Sequence, residues 1–326
     1  MTWRLRCLAL VAALTLTGAA PSPFPLETLL KDAEAARVFN YWSLRENRDG
    51  PTIEALFRDT YATLEKRHAG SGQACFNEAQ VEIRTGLMGV TTAGSPAQWR
   101  RNRDAAASAV RHFDVTVEAL LKGTPSGDAD LDKLILPYVS RATATRSARD
   151  RELALRTARD QVMRLGTENA SLLGPLNASA RTLVSMSLFS RACRTDADNQ
   201  AWIKHQIRTQ GWFNISRYGA EADNDAWLLV QHADSDSAFQ TEVLALLDGL
   251  RVKGETNPRN YAYLYDRVAI NTGRPQRYGT QGGCKDGERF TSPLENPAEV
   301  DRLRGEVGMT SLAEYQALFR CRKPAG

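Results

Sequence analysis

Histidine is scarce in this chain, with four among 326 residues, at His68, His112, His205 and His232. No Cys-x-x-Cys and no His-Glu-x-x-His pattern accompanies them, so the common zinc arrangements are excluded. His232 and Asp234 would supply only two ligands, and neither a metal nor a cofactor is expected. Alternating runs of the β type are few, and no tetratricopeptide- or ankyrin-like period recurs. No serine or cysteine is signposted as a nucleophile. The formal charge is only +4, with acids and bases interleaved as in Arg149-Asp150-Arg151-Glu152. Such interleaving makes a solvated helix face and argues against a nucleic-acid partner.

What is present begins at the N-terminus. Arg4 and Arg6 precede the apolar run Cys7 to Leu16, and small residues follow at Thr17-Gly18-Ala19-Ala20. A basic start, an apolar middle and a small-residue exit are the parts of a secretory signal peptide, here residues 1–20. The run is too short for a comfortable bilayer span, so no stable membrane insertion is expected after cleavage; an uncleaved anchor is the alternative. The protein is therefore expected to be exported, to a periplasm or the medium. Loss of Arg4 and Arg6 lowers the formal charge from +4 to +2.

Export changes how the cysteines read. Without Cys7, an even set remains at Cys75, Cys193, Cys284 and Cys321, in a compartment where disulfides persist. Four cysteines allow three pairings, and spacing does not choose among them. The expected pairs are Cys284–Cys321 and Cys75–Cys193, each worth about 3–5 kcal/mol in the chain-entropy picture.

Helix punctuation dominates the rest, and the fold is expected to be all-α, with helical hairpins packed as a bundle or short irregular solenoid. Pro51 opens a helix carrying Ile53, Leu56, Phe57, Tyr61 and Leu64, with Gly70 beyond its end. Ser95-Pro96 opens a longer one that stops at Gly123, and another runs from Ser147 to Leu165 before Gly166. Ser237 with Gln240 makes a capping-box pattern ahead of Phe239, Val243, Leu246, Leu247 and Leu250. Asn257-Pro258 starts the next helix, with Tyr261, Leu264, Tyr265 and Val268 inward, and the short linker between the two predicts an antiparallel hairpin. Asn296-Pro297 and Ser311 with Glu314 announce two shorter helices. Residues 282–295 are expected to form an irregular loop pinned by Cys284. The organisation expected is a leader, an N-terminal helical region over 21–145 and a C-terminal helical domain over 146–326.

Polar residues inside apolar helical patterns mark the candidate site. His232 closes a helix whose stripe is Ala226, Leu229, Val230 and Ala233, at the edge where an imidazole could serve as general base or simply cap the helix. Asp266 and Arg267 sit mid-helix, where burial is costly unless they are paired. Two pairings are open: Asp266 with His232, as in a catalytic dyad, or Arg267 with Asp234, as an interhelical bolt. Gln276, Tyr278, Gly279, Thr280 and Gln281 follow on the loop that leaves this helix. They could face a substrate bearing amides or hydroxyls, or fasten the loop to the helices beneath. Trp212 reads as a packing anchor. Asp160 and Arg164, four apart beside Gln161, read by spacing alone as a surface ion pair.

The ordered strings Asp160-Gln161-x-x-Arg164, Gly211-Trp212, Gln231-His232-Ala233-Asp234, Asp266-Arg267 and Gly273-x-Pro275-Gln276-x-Tyr278-Gly279-Thr280-Gln281 resemble a bacterial family of unknown function. The resemblance covers residues 150–315, carries no activity, and leaves the front half uncovered. Phe213 stands where that family often has proline. The resemblance implies that Asp160, Gln161 and Arg164 join one site with Gln231, His232, Asp234, Asp266, Arg267 and the 276–281 loop. Three readings follow. One is an exported hydrolase that uses His232 as base, Asp266 to orient it and an activated water. Another is a non-catalytic module that binds a small molecule or peptide. The last is an internal polar network without ligand.

Overall fold

The computed structural model describes residues 24–46, 51–71, 73–165, 173–319 and 321. The leader expected over 1–20 and the stop expected at Gly166 lie outside them. Among the described residues there are fifteen helices and one two-stranded sheet, so the all-α expectation holds. The chain divides into two compact units, residues 24–198 and 199–321 of those described.

The 24–198 unit holds α1 Leu26–Leu29, α2 Ala33–Val38, α3 Ser43–Glu46, α4 Ile53–Ser71, α5 Glu78–Thr91, α6 Pro96–Leu121, α7 Ala129–Ala144 and α8 Ala148–Leu165, together with the first part of α9 Ala178–Gln210. The Ser95 hydroxyl accepts the Gln98 N–H with Pro96 in the first turn, as the sequence predicts for α6. Gly70 does not end α4, which runs on to Ser71. Two apolar cores form. In the first, Tyr41, Ile53, Leu64, Ile83 and Trp99 join α1–α6. The second gathers Phe113, Leu120, Leu131, Ile135, Val162, Leu183 and Leu188, and so runs unbroken across the 123–128 and 145–146 connections. Cys75 is bonded to Cys193 across this unit, as expected.

The 199–321 unit continues α9 and adds α10 Ile215–Tyr218, α11 Ala220–Gln231, α12 Ser237–Arg251, α13 Pro258–Asn271, strands β1 Gly282–Lys285 and β2 Glu288–Thr291, α14 Val300–Glu306 and α15 Leu312–Ala317. Helices α12 and α13 pack as the predicted hairpin. Asn257 caps α13 with Pro258 behind it, and Ser311 with Glu314 forms the capping box of α15. The cap of α12 is a correction: it is Asp236, whose carboxylate accepts the Phe239 N–H, and not Ser237. Gln240 is thereby released for other partners.

Residues 282–291 also depart from expectation, since they form an antiparallel hairpin pairing Gly282 with Thr291 and Lys285 with Glu288. Its turn is Asp286-Gly287, both with positive φ, as a tight two-residue hairpin requires. Gly282 and Gly283 contribute no side chains to an alternating pattern, which hid the strand. A Cβ on Gly282 would lie 2.1 Å from the Phe290 carbonyl oxygen, so the close pairing needs glycine. Cys284 of β1 is bonded to Cys321, the second expected disulfide.

Candidate functional site

In the 199–321 unit the site is built around a stretch of non-helical chain that follows α13. Asp266 is fully buried on α13, and its carboxylate faces the 276–281 loop. Oδ1 accepts the N–H groups of Arg277 (2.8 Å) and Tyr278 (2.9 Å), and Oδ2 accepts that of Thr280 (2.8 Å). Burial pushes this carboxyl above its usual range, and the three N–H groups pull it partly back. Its oxygens are thus committed to the loop. The hydrogen bond to His232 that a dyad requires is not among its contacts, because three peptide N–H groups that would otherwise be buried unpaired occupy the carboxylate.

Arg304 of α14 grips the same loop by its carbonyls. It is almost fully buried, and donates to the Tyr278 oxygen (2.6 Å) and the Thr310 oxygen (2.6 Å). Burial lowers its pKa. Gln276 fastens both ends of the loop: its Nε2 donates to the Gln281 oxygen (2.7 Å) and the Ser292 oxygen (2.8 Å), and its Oε1 accepts the Gln281 N–H (2.8 Å). At Gly279, φ is +70°, and a Cβ there would meet Leu312 Cδ1 at 2.7 Å. Tyr278 is buried, and Thr280 offers its carbonyl to the Tyr315 hydroxyl at 3.2 Å.

The turn after α11 is held as firmly. His232 is the C-cap of that helix and is partly buried, directly after the buried Gln231. Gln240 Nε2 donates to the Val230 carbonyl (3.1 Å), which also accepts the Ala233 N–H at the helix end (3.1 Å). Asn271 Nδ2 donates to both Asp234 Oδ1 and Gln240 Oε1 at 3.0 Å. Arg267 Nε lies 3.5 Å from Asp234 Oδ1, which is the interhelical pairing weighed from sequence.

Some polar atoms in this unit have no such provision. Oε1 of Gln231, Oε1 of Gln281 and Nε1 of Trp227 are buried without a hydrogen-bond partner in the protein. Trp227 and Gln231 are one turn apart on α11 and share a face. The Trp227 ring meets Tyr263 at 5.5 Å, Tyr263 meets Tyr315 at 6.3 Å, and Tyr315 reaches the Thr280 carbonyl beside Gln281. An aromatic row therefore runs from Trp227 to Tyr315, whose hydroxyl meets the backbone of the residue before Gln281.

Asp160, Gln161 and Arg164 lie in the 24–198 unit on α8. Asp160 is 1% exposed, so it is not part of a surface ion pair. It accepts from Gln161 Nε2 (2.8 Å) and from Arg164 Nη2 (3.2 Å), and the same Arg164 nitrogen donates to Asp196 of α9 at 2.6 Å. Burial, set against the Arg164 charge, holds the Asp196 carboxyl up at about 7. Arg164 is moved upward: burial opposes its charge, and the two carboxylates outweigh it.

Asp196, Asp223, Gln240, Arg304 and the Trp227–Tyr263 pair were not anticipated from sequence. Asp223 is fully buried and accepts from Trp212 Nε1 (2.7 Å), the Asn257 N–H (2.9 Å) and Asn260 Nδ2 (3.0 Å), which ties the Trp212 anchor to the start of α13. Burial raises its pKa against those donors. A signal existed for two of them. Asp223 falls three residues before Ala226 on the buried stripe of α11, and Arg304 stands between Val300 and Val307 on that of α14.

No curated protein and no solved structure matches the chain. A family model does match: residues 149–322, just over half of the chain, fit the family of unknown function DUF6624. That span contains Asp160, the α11 turn, Asp266 with its loop, and both unpaired glutamines, and the chain belongs to this family.

Proposed function

We propose that the 199–321 unit binds a small amide- or hydroxyl-bearing molecule on the face marked by Trp227, Gln231 and Gln281, with His232, Asp234 and Arg267 beside it. The observation that carries this reading is the pair of buried, unpaired glutamine oxygens. An unsatisfied buried polar group costs about 1–3 kcal/mol. The same unit satisfies Asp223, Asp266, Gln240 and Gln276. Groups left open in so well-paired a setting suit a ligand better than a packing role. Asp266, Gln276, Tyr278, Gly279 and Thr280 then act as positioning residues that fix the backbone on which Gln281 is presented.

Hydrolysis is the second reading, favoured by one observation. His232 is only partly buried and directly follows Gln231, where it could activate a water against a bound amide. Asp266 would support such a reaction through the loop and not by orienting the imidazole. Export, to a periplasm or the medium, is part of the proposal and is supported by the two disulfides. Among the described residues, no helix is long and apolar enough to cross a membrane.

A thermal-shift screen of the full mature chain against N-acetylated amino-acid amides and simple saccharides tests binding. A ligand that raises Tm for the wild type, and fails to do so for a His232→Ala protein of unchanged intrinsic Tm, supports the site. A fall of several degrees in the variant, with no ligand found for the wild type, overturns it in favour of a structural network. Turnover of a bound amide, lost in His232→Ala, would establish the hydrolase.

A further inference from the structure

The 282–291 hairpin carries a charge that the rest of its unit does not answer. Arg289 of β2 stands directly opposite Cys284 of β1, so the two side chains share one face, with Cβ atoms about 4.5–5.5 Å apart in such pairs. Thr291, two residues on, faces the same way and accepts from Gln316 of α15. This is the face that the C-terminal segment covers. The Arg289 guanidinium lies 3.6 Å from the centroid of the Phe319 ring, and Phe319 is two residues before Cys321, the disulfide partner of Cys284. Arg289 Nε is buried without a hydrogen-bond partner, and among the described residues no carboxylate acts on this side chain. Burial lowers its pKa, as for any cation held from water without a counter-charge. The same segment reaches the 276–281 loop, since Phe319 meets Tyr315 at 5.0 Å and the Tyr315 hydroxyl donates to the Thr280 carbonyl.

We infer that Cys284–Cys321 is an exchangeable disulfide, opened by a dithiol, with Cys284 leaving as a thiolate beside Arg289 and the segment carrying α15 and Phe319 released from the hairpin. One thiolate of the reductant attacks Sγ of Cys321 and forms a mixed disulfide. The Cys284–Cys321 bond breaks, and its electron pair stays on Cys284 Sγ. The second thiol of the reductant, once deprotonated, attacks its own sulfur in the mixed disulfide, which frees the Cys321 thiolate and closes the oxidised reductant. A leaving thiol of lower pKa departs faster, and a neighbouring guanidinium lowers that pKa. The other disulfide has its basic neighbours engaged elsewhere: Arg191 pairs with Asp114, and Arg194 donates to Ser190 Oγ.

The experiment is graded reduction of the full mature chain with dithiothreitol, then alkylation with iodoacetamide and mass spectrometry, for the wild type, Arg289→Met and Arg289→Lys. Methionine keeps bulk over Phe319 without the charge, and lysine keeps the charge. Cys284 and Cys321 should be labelled before Cys75 and Cys193. Alkylation of Cys284 should reach half its maximal rate about one pH unit below the ordinary thiol value of about 8.5. Arg289→Met should raise that midpoint by about one unit and slow opening by at least about threefold, whereas Arg289→Lys keeps most of both effects. Amide exchange protection should fall at residues 312–319 on opening. Opening of Cys75–Cys193 first, or a Cys284 midpoint that Arg289→Met does not move, overturns the inference. So does protection at residues 312–319 that survives reduction.

Discussion

The two compact units handle buried polar groups differently. Among the described residues the 24–198 unit has helices as its regular secondary structure, and helices satisfy their own peptide groups. Its cores are apolar, and its ion pairs lie mostly in solvent, such as Arg37 with Glu34 and Glu78 or Arg159 with Glu118. Exposed pairs of this kind are worth about 0–1 kcal/mol each. Asp160, buried within the Asp160–Arg164–Asp196 cluster, and the Arg141–Asp150 pair are more sheltered. After α13, by contrast, the chain runs through a loop, a small hairpin and short helices, where many peptide groups lack helical partners. Asp266, Gln276 and Arg304 supply those partners from within. In this unit buried polar side chains thus serve irregular backbone, and the buried atoms on Trp227, Gln231 and Gln281 that do not are the ones the proposed ligand would meet.

The disulfides probe each unit with the largest expected effect. Cys75 and Cys193 are separated by 118 residues and Cys284 and Cys321 by 37, which in the chain-entropy picture gives about 5 and about 4 kcal/mol respectively. Replacing each pair by serine should lower the urea midpoint of its own unit, followed by amide hydrogen exchange. A uniform loss of protection over both units would erase the distinction between them.

Asp266→Ala comes next. It leaves three peptide N–H groups without their acceptor, and should cost about 3 kcal/mol, with exchange protection lost first at Arg277, Tyr278 and Thr280. A change below about 1 kcal/mol would mean the loop does not depend on that carboxylate. Gly279→Ala should cost more than Gly254→Ala. Both need the left-handed region, at about 1–2 kcal/mol, but only at Gly279 does the new Cβ also meet Leu312. Equal losses would remove Leu312 from the account.

A pH effect concerns the Asp160–Asp196 carboxyl pair of the 24–198 unit. Asp196 holds its proton up to about pH 7 in the native protein, whereas in the unfolded chain it releases it near 3.8. Between those values the native state binds more protons than the unfolded state, so this group makes stability fall as pH rises from about 4 to about 7, and is neutral above. Asp196→Asn should remove that slope in urea unfolding at pH 4.5 and 7.5. An unchanged slope would move the titration elsewhere.

Much of this fold could be read from apolar spacing and punctuation. Ser95-Pro96, Asn257-Pro258 and Ser311 with Glu314 state their helix starts in chemistry that acts within a few residues. The β-hairpin could not be read, because glycines at 282 and 283 carry no periodicity and its pairing is made by backbone. The site was half legible. His232, Asp266 and Gln281 stood out because each interrupts an apolar pattern, but which of them meet depends on where Asp266 sends its oxygens. That choice is made by the three N–H groups of a loop eleven to fourteen residues downstream. Gln240 was misassigned because a cap one residue earlier, Asp236, takes the helix end.

The most direct test of the central claim is the unfolding free energy of a Gln231→Leu/Gln281→Met protein in urea without ligand. If these oxygens are held open for a ligand, removing them takes away two buried, unpaired acceptors, and stability should be unchanged or raised by about 1 kcal/mol while ligand binding disappears. A loss of more than about 2 kcal/mol would show that both glutamines are paired in the native protein, and would return the face to an internal polar network.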